Sequence, residues 1–373
     1  NTNETNYFIV NQSNEFLISK ENDIYCKTII NLSESDDNKD NSSCSKEKIN
    51  FEIFSYTQPL NVLIDFINSI ETQYNDNIEN SRKNKTFVYT LQTSDKDACK
   101  YDEWNEFKFS TTKNFDNVFF DGKDIFLRKL RFFSNHESWY KKMGVPYTMG
   151  IALHGVPGSG KTTLIKCIAK CFNRHIIYIN CKLLDTRKKL FETYFENTYN
   201  NKNKKNSIGF NNKIIVFEDI DCMGDIVLDR NFKQLKENNT IDNNTNNCNN
   251  NNSFRTNNDT DNLVKLMTNE IPITLDDILN LWDGVRENDG RILIITSNQY
   301  HKLDPAIKRP GRIDIELKMD HASIETVNNM SKHFYGKSLP SLKKVFKKLT
   351  PAEITQLAVQ SDSYNEFCSK IFK

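Results

Sequence analysis

The sequence predicts an α/β fold, a parallel sheet flanked by helices, with a β-rich domain before it and a small helical lid after it. Three observations carry this prediction. From about Asn114 onward, helix and strand patterns alternate, as they do in parallel-sheet folds. A glycine-rich stretch, Gly155 to Thr163, falls between a strand pattern and a helix pattern. The apolar run "IIVF" ends directly in Glu218 and Asp219, with Asp221 one residue further on. At 373 residues the chain is long enough for more than one domain, each with its own core.

Residues 1–112 read as the β-rich domain. Short apolar runs recur there: "YFIV", "EFLIS", "IYCKTII", "NFEIFSY", "FVYTLQ" and "EWNEFKF". They have the length and the β-branched and aromatic content of antiparallel strands. One helix interrupts them, because Leu63, Phe66, Ile67 and Ile70 recur at i, i+3, i+4 and i+7. No catalytic constellation stands out in this segment, which leaves it substrate handling or assembly by elimination.

Residues 113–320 read as the α/β subdomain. Its strand candidates are "GIALHG", "IIYIN", "KIIVFED", "RILIITSN" and "IDIELKM". Two asparagine-rich tracts interrupt it, near residues 200–212 and 228–262. Such tracts hold too little apolar surface to fold, so disordered insertions are expected. Residues 321–373 read as the lid. There "TPAEITQLAV" carries its own start signal: Thr350 as N-cap, Pro351 at the first helical position and Glu353 closing a capping box. In "SLPSLKKVFKKL", four lysines oppose Leu342, Val345, Phe346 and Leu349, the pattern of a solvated helix with one buried face.

The chemistry sits in the α/β part. Gly155-Val156-Pro157-Gly158-Ser159-Gly160-Lys161-Thr162, followed by Thr163, fits G-x-x-x-x-G-K-[ST] in the required strand–loop–helix context. Glycines there let backbone N–H groups converge on phosphate oxygens, and the helix N-terminus adds its partial positive charge. Lys161 would reach the β- and γ-phosphates of ATP, and the Thr162 hydroxyl would ligate Mg²⁺. The acids after "IIVF" are expected at the C-terminal edge of the sheet, on a strand beside the phosphate strand. With Thr162, Glu218 or Asp219 would hold the metal while the other orients the attacking water. Asp221 is expected to cap or pair with a loop instead. At the end of "RILIITSN", the Asn298 amide could hold that water and sense the γ-phosphate. Arg309 and Arg312, around Pro310-Gly311, could stabilise charge that develops on a transferring phosphate.

Taken in this order, the phosphate loop, the acidic strand, the strand-end Asn298 and "LDPAIKRPGRID" resemble the AAA ATPase family. "WYKKMGVPYTMGIALHGVPGSGKTT", "FEDIDCM", "TLDDILNLWDGV" and "PAEITQL" resemble its Bcs-type branch, which contains the mitochondrial inner-membrane chaperone of respiratory complex III. The resemblance covers about Asn114 to Lys373. It implies a homo-oligomeric ring, hexamer or heptamer, in which Arg309 and Arg312 reach a neighbour's nucleotide. It also implies that Glu218 serves the magnesium and Asp219 polarises water, an order reversed from most AAA proteins. The segment "YINCKLLDTRKKLFETYF" lacks the aromatic–apolar–Gly loop of threading machines, which in this branch goes with movement of folded protein cargo.

The bulk numbers bound the alternatives. Lys+Arg 50 against Asp+Glu 49 leaves net +1, which gives no global field for nucleic acid or an anionic membrane. Nine cysteines without a CxxC pair read as reduced thiols. The histidines show no metal-ligand spacing. Trp139 and Tyr140 read as packing residues. No apolar stretch reaches the roughly 18 residues of a membrane span. The sequence opens on Asn1, as a trimmed chain would, so any anchor is expected before residue 1. By resemblance the location is the mitochondrial inner membrane, and the asparagine-rich composition also fits a protist or viral copy in the cytoplasm. Two other functions are carried forward: a nucleic-acid loader or packaging motor on the same core, and a nucleotide-gated scaffold with little hydrolysis.

Overall fold

The computed structural model describes residues 15–33, 46–92, 104–184, 186–204, 206–229, 271–340 and 347–372. The strand candidate "YFIV", the tract at 228–262 except its first two residues, and most of "SLKKVFKKL" lie outside them. The chain divides into two compact units, residues 1–84 and 85–373.

In the first unit, β1 (Phe16–Ser19), β2 (Ile24–Ser33) and β3 (Lys46–Ser55) form an antiparallel meander. The helix α1 (Leu60–Arg82) follows. Its predicted apolar face is present, but Leu63 and Phe66 are only half-buried and Ile67 and Ile70 are exposed.

The second unit is built on a seven-stranded sheet in the order β10-β6-β9-β8-β7-β4-β5. Its strands are β4 (Phe87–Leu91), β5 (Trp104–Lys108), β6 (Thr148–Gly155), β7 (His175–Asn180), β8 (Lys213–Glu218), β9 (Arg291–Ser297) and β10 (Ile315–Met319). Every pairing is parallel except β4 with β5.

The reading of 1–112 as one β-rich domain is therefore corrected. β4 and β5 were read as strands of the N-terminal domain, but β4 pairs with β7 from Val88 to Thr90 and continues the α/β sheet. Alternating short strands look the same from sequence whichever sheet they join.

Period-two alternation gives the sheet two apolar faces. Ile151, Leu153, Ile176, Ile214, Val216, Ile292 and Ile294 pack on one face with Phe126, Leu130 and Phe133 of α2 (Lys123–Asn135) and Leu164 and Ile168 of α4 (Lys161–Phe172). The short α3 (Glu137–Met143) links α2 to β6. Ala152, Ile177, Ile179, Ile215, Phe217, Leu293 and Ile295 pack on the other face with α5 (Arg187–Phe195) and α6 (Leu275–Asp283). Burial on both faces explains why these strands read as unbroken apolar runs.

The tract at 200–212 is also corrected, because most of it is folded. Asn203 Oδ1 accepts from the backbone N–H of Tyr199 and Asn200, both at 2.9 Å. Tyr199 and Ile208 are buried beside it, so asparagines here serve as turn formers around apolar anchors. The buried Lys213 supports the same segment, donating to Glu196 O (2.6 Å), Asn197 Oδ1 (2.9 Å) and Tyr199 Oη (3.2 Å).

The lid comprises α7 (Ile324–Tyr335), α8 (Pro351–Val359) and α9 (Tyr364–Ile371) around Val327, Met330, Ile354, Phe367 and Ile371. Thr350 and Glu353 form the expected capping box with Pro351 in the first turn.

Candidate nucleotide site

A cavity of about 360 Å³ opens at the C-terminal edge of the sheet. Pro157, Gly158, Gly160, Lys161, Thr162, Thr163, Glu218, Asp219, Asn298 and Ala352 line it. The phosphate loop is wedged in place by glycine geometry. Gly155 has φ +136°, and a Cβ there would stand 1.8 Å from the Met319 carbonyl oxygen on β10. Gly160 has φ +102° and starts α4 as its N-cap. The lid meets the loop directly, since Ala352 N donates to Gly158 O at 3.3 Å.

The acidic strand does not lie beside the phosphate strand, as was expected. β9 runs between β6 and β8, so the acids sit two strand spacings away, about 10 Å. The first turn of α4 bridges that gap: Thr162 Oγ1 donates to Glu218 Oε1 at 3.0 Å. The second carboxylate oxygen, Oε2, accepts from the Tyr178 hydroxyl on β7. Lys161 Nζ donates to Gly155 O (2.9 Å), Val156 O (3.1 Å) and Asn298 Oδ1 (2.8 Å). Three separated motifs thus share one hydrogen-bonded network.

Asp219 follows Glu218 in left-handed backbone conformation, φ 49°. Its amide donates to Thr296 Oγ1 at 2.8 Å, and Thr296 is buried on β9 two residues before Asn298. The Asp219 carboxyl is held above the ordinary aspartate range by burial first, then by the like charges of Glu218 and Asp221. Burial lowers the Lys161 ammonium, against the pull of Asp219, Asp221 and Glu218. Asp221 Oδ1 is buried and has no hydrogen-bond partner among the described residues.

The two arginines lie elsewhere in the chain. The Arg312 carbonyl is packed against Gly150, near the N-terminal end of β6, where a Cβ would stand 1.7 Å from it. Gly150 and Gly155 are five residues apart on the same strand, about 17 Å at roughly 3.3 Å per residue. Arg309 is exposed. Arg312 is mostly buried, with Nη1 donating to Ala306 O at 2.7 Å and Nε 3.8 Å from Asp283 Oδ2.

Sequence reasoning missed Tyr178, Thr296 as the partner of Asp219, and Ala352 on the cavity wall. Tyr178 was findable in part: it shares the parity of Ile176, as Glu218 shares that of Ile214 and Val216, so both face α4.

Whether the residues fit a magnesium nucleotide can be judged from their donors. A hydroxyl and a carboxylate already 3.0 Å apart supply the hard oxygen ligands this ion takes. The loop beside them presents glycine backbone and a lysine to the same cavity. They fit. The fold and this site together define a phosphate-loop nucleotide-binding protein.

Comparison with known proteins narrows the class. Residues 151–321 match the model of the ATPase family associated with various cellular activities (AAA). The chain is 32% identical over 216 residues to the probable mitochondrial chaperone BCS1-A of Dictyostelium discoideum, covering 58% of this chain and 42% of that protein. It is 26% identical over 264 residues to the probable mitochondrial chaperone bcs1 of Schizosaccharomyces pombe (70% and 47%). It is 28% identical over 241 residues to the AAA-ATPase At3g28610 of Arabidopsis thaliana (64% and 44%). Residues 151–321 thus carry an AAA ATPase domain, and the relatives this chain is similar to include Bcs-type chaperones. It spans less than half the length of each of these three.

Proposed function

We propose that this chain is a magnesium-dependent ATPase that works in a homo-oligomeric ring, hexamer or heptamer, to remodel or move folded protein cargo. The observation that carries the reading is the network joining Lys161, Asn298, Thr162 and Glu218 across one cavity. Lys161 spends its three donors on two loop carbonyls and Asn298, and would turn them to the phosphate oxygens of ATP. Thr162 and Glu218 would hold Mg²⁺, which supplies charge neutralisation on the transferring phosphoryl group. Asp219, whose amide bonds to Thr296, would orient and polarise the attacking water, and Asn298 would sense the γ-phosphate.

Arg309 and Arg312 sit at the opposite edge of their own sheet, so any role in catalysis is on a neighbour's nucleotide. Arg309 is the exposed one of the two, and we assign the contact with the neighbour to it. Arg312 is held by Ala306 and lies beside Asp283, and we assign it the shape of the turn. Among the described residues no helix is long and apolar enough to cross a membrane. Two of the relatives are named mitochondrial chaperones, and we extend that location and the chaperone role to this chain.

The test is direct. The purified protein should hydrolyse ATP only with Mg²⁺, and Lys161→Ala should abolish nucleotide binding. Electron microscopy with an ATP analogue should show a closed ring. Turnover stimulated by DNA or RNA, with steep salt dependence, would replace the protein-cargo reading with a nucleic-acid motor. ATP binding with turnover unchanged by Asp219→Asn would replace it with a scaffold.

A further inference from the structure

We propose that Tyr178 is a positioning residue for the metal site, orienting Glu218 from the neighbouring strand so that one carboxylate oxygen faces Thr162. This inference rests on the magnesium-nucleotide reading of the site and adds a residue outside the motifs that define it.

The argument begins with the two oxygens of Glu218. Oε1 accepts from Thr162 Oγ1 at 3.0 Å. Oε2 accepts from the Tyr178 hydroxyl. A glutamate side chain has three rotatable bonds, the last of them a terminal torsion that is broad and two-fold. A single contact at Thr162 leaves the carboxylate free to rotate about that contact. A second contact, on the other oxygen and from a different strand, removes the freedom.

The placement follows from sheet geometry. β7 and β8 run parallel with Tyr178 opposite Val216 and Asn180 opposite Glu218. Tyr178 and Glu218 share the face covered by α4, with the phenol reaching diagonally toward the strand end. A phenol is long enough to make that reach and ends in a donor. Its flanking residues Ile177 and Ile179 are buried on the other face, which anchors the strand.

Partners that orient a metal-binding carboxylate from behind are worth about 10- to 100-fold in metal affinity. Tyr178→Phe removes only the oxygen and keeps the ring that packs. Magnesium chloride is titrated into protein saturated with a non-hydrolysable ATP analogue, and analogue binding is measured separately in EDTA. The expected result is a magnesium affinity weakened by about 10-fold or more, with analogue affinity in EDTA unchanged. In a Glu218→Gln background the tyrosine change should add almost nothing, because both act through one carboxylate.

Unchanged magnesium affinity in Tyr178→Phe overturns the proposal while leaving the nucleotide site intact. So does an equal loss from Tyr178→Phe in the wild-type and Glu218→Gln backgrounds. Loss of analogue binding in EDTA overturns it too, since Tyr178 would then support the fold of the site. A wild-type protein that binds no magnesium–analogue complex overturns the site reading itself, a result distinct from all three.

Discussion

Thr296→Val tests whether the backbone of Asp219 is held for catalysis. The Thr296 hydroxyl accepts the Asp219 amide at 2.8 Å, and Thr296 is 1% exposed. Valine has nearly the same shape but cannot accept, so a half-buried N–H loses its partner, costing about 1–3 kcal/mol. Asp219 is also in left-handed conformation at φ 49°, a further cost of about 1 kcal/mol for an L-residue. Both costs are relieved if the backbone relaxes toward ordinary φ, and that relaxation carries the carboxylate away from its place. A displacement of about 1 Å is enough for about a 100-fold loss in rate. The expected outcome is kcat down by about 10- to 100-fold, KM for magnesium–ATP changed by less than about 3-fold, and a stability loss of about 1–2 kcal/mol in denaturant titration. A variant that loses that stability and keeps its kcat within about twofold refutes the reasoning, because the bond would then serve only the fold.

Arg309→Ala should cut turnover in the assembled ring by about 10³-fold or more with little change in stability, whereas Arg312→Ala should lower stability by about 1–3 kcal/mol through its lost contacts with Ala306 and Asp283. Steady-state turnover on verified rings and denaturant titration separate the two, and full turnover in Arg309→Ala rings would end the assignment. Lys213 is fully buried, and burial lowers its ammonium from 10.5 to about 7. The unfolded chain therefore binds the extra proton between about pH 7 and 10, and this group makes stability rise with pH across that window, by at most about 1.4 kcal/mol per pH unit. Lys213→Met should remove that slope in titrations at pH 6.5, 8 and 9.5, and parallel curves for the two proteins would show that folded Lys213 keeps its proton across that range, against the lowering argued from its burial.

Which residues gather at the candidate site was legible in the sequence and strand pairing was not, and the physical reason is the range over which each is determined. Gly155 to Thr163 could be read because a phosphate cradle needs glycines, a lysine and a hydroxyl within one turn of chain. Glu218, Asp219 and Asn298 could be read because each ends an apolar run, and parallel strands present their C-terminal ends to one edge. The capping box of Thr350 and Glu353 is likewise complete within four residues. What escaped depended on which strand lies next to which. β9 runs between β6 and β8, and β4 joins β7, with no local signature for either. The tract at 200–212 escaped for another reason: its asparagines suggest disorder by composition, while Tyr199, Ile208 and the Lys213 ammonium reach it from outside the asparagine run or singly within it. Tyr178 shows where the two ranges meet. Its parity is local and puts it on the α4 face, but its bond to Glu218 requires that β7 and β8 be neighbours in one particular register. A shift of one residue would turn the phenol to the opposite face and leave the Glu218 carboxylate with a single contact. The register of two buried strands thus reaches the chemistry of the site through one hydroxyl.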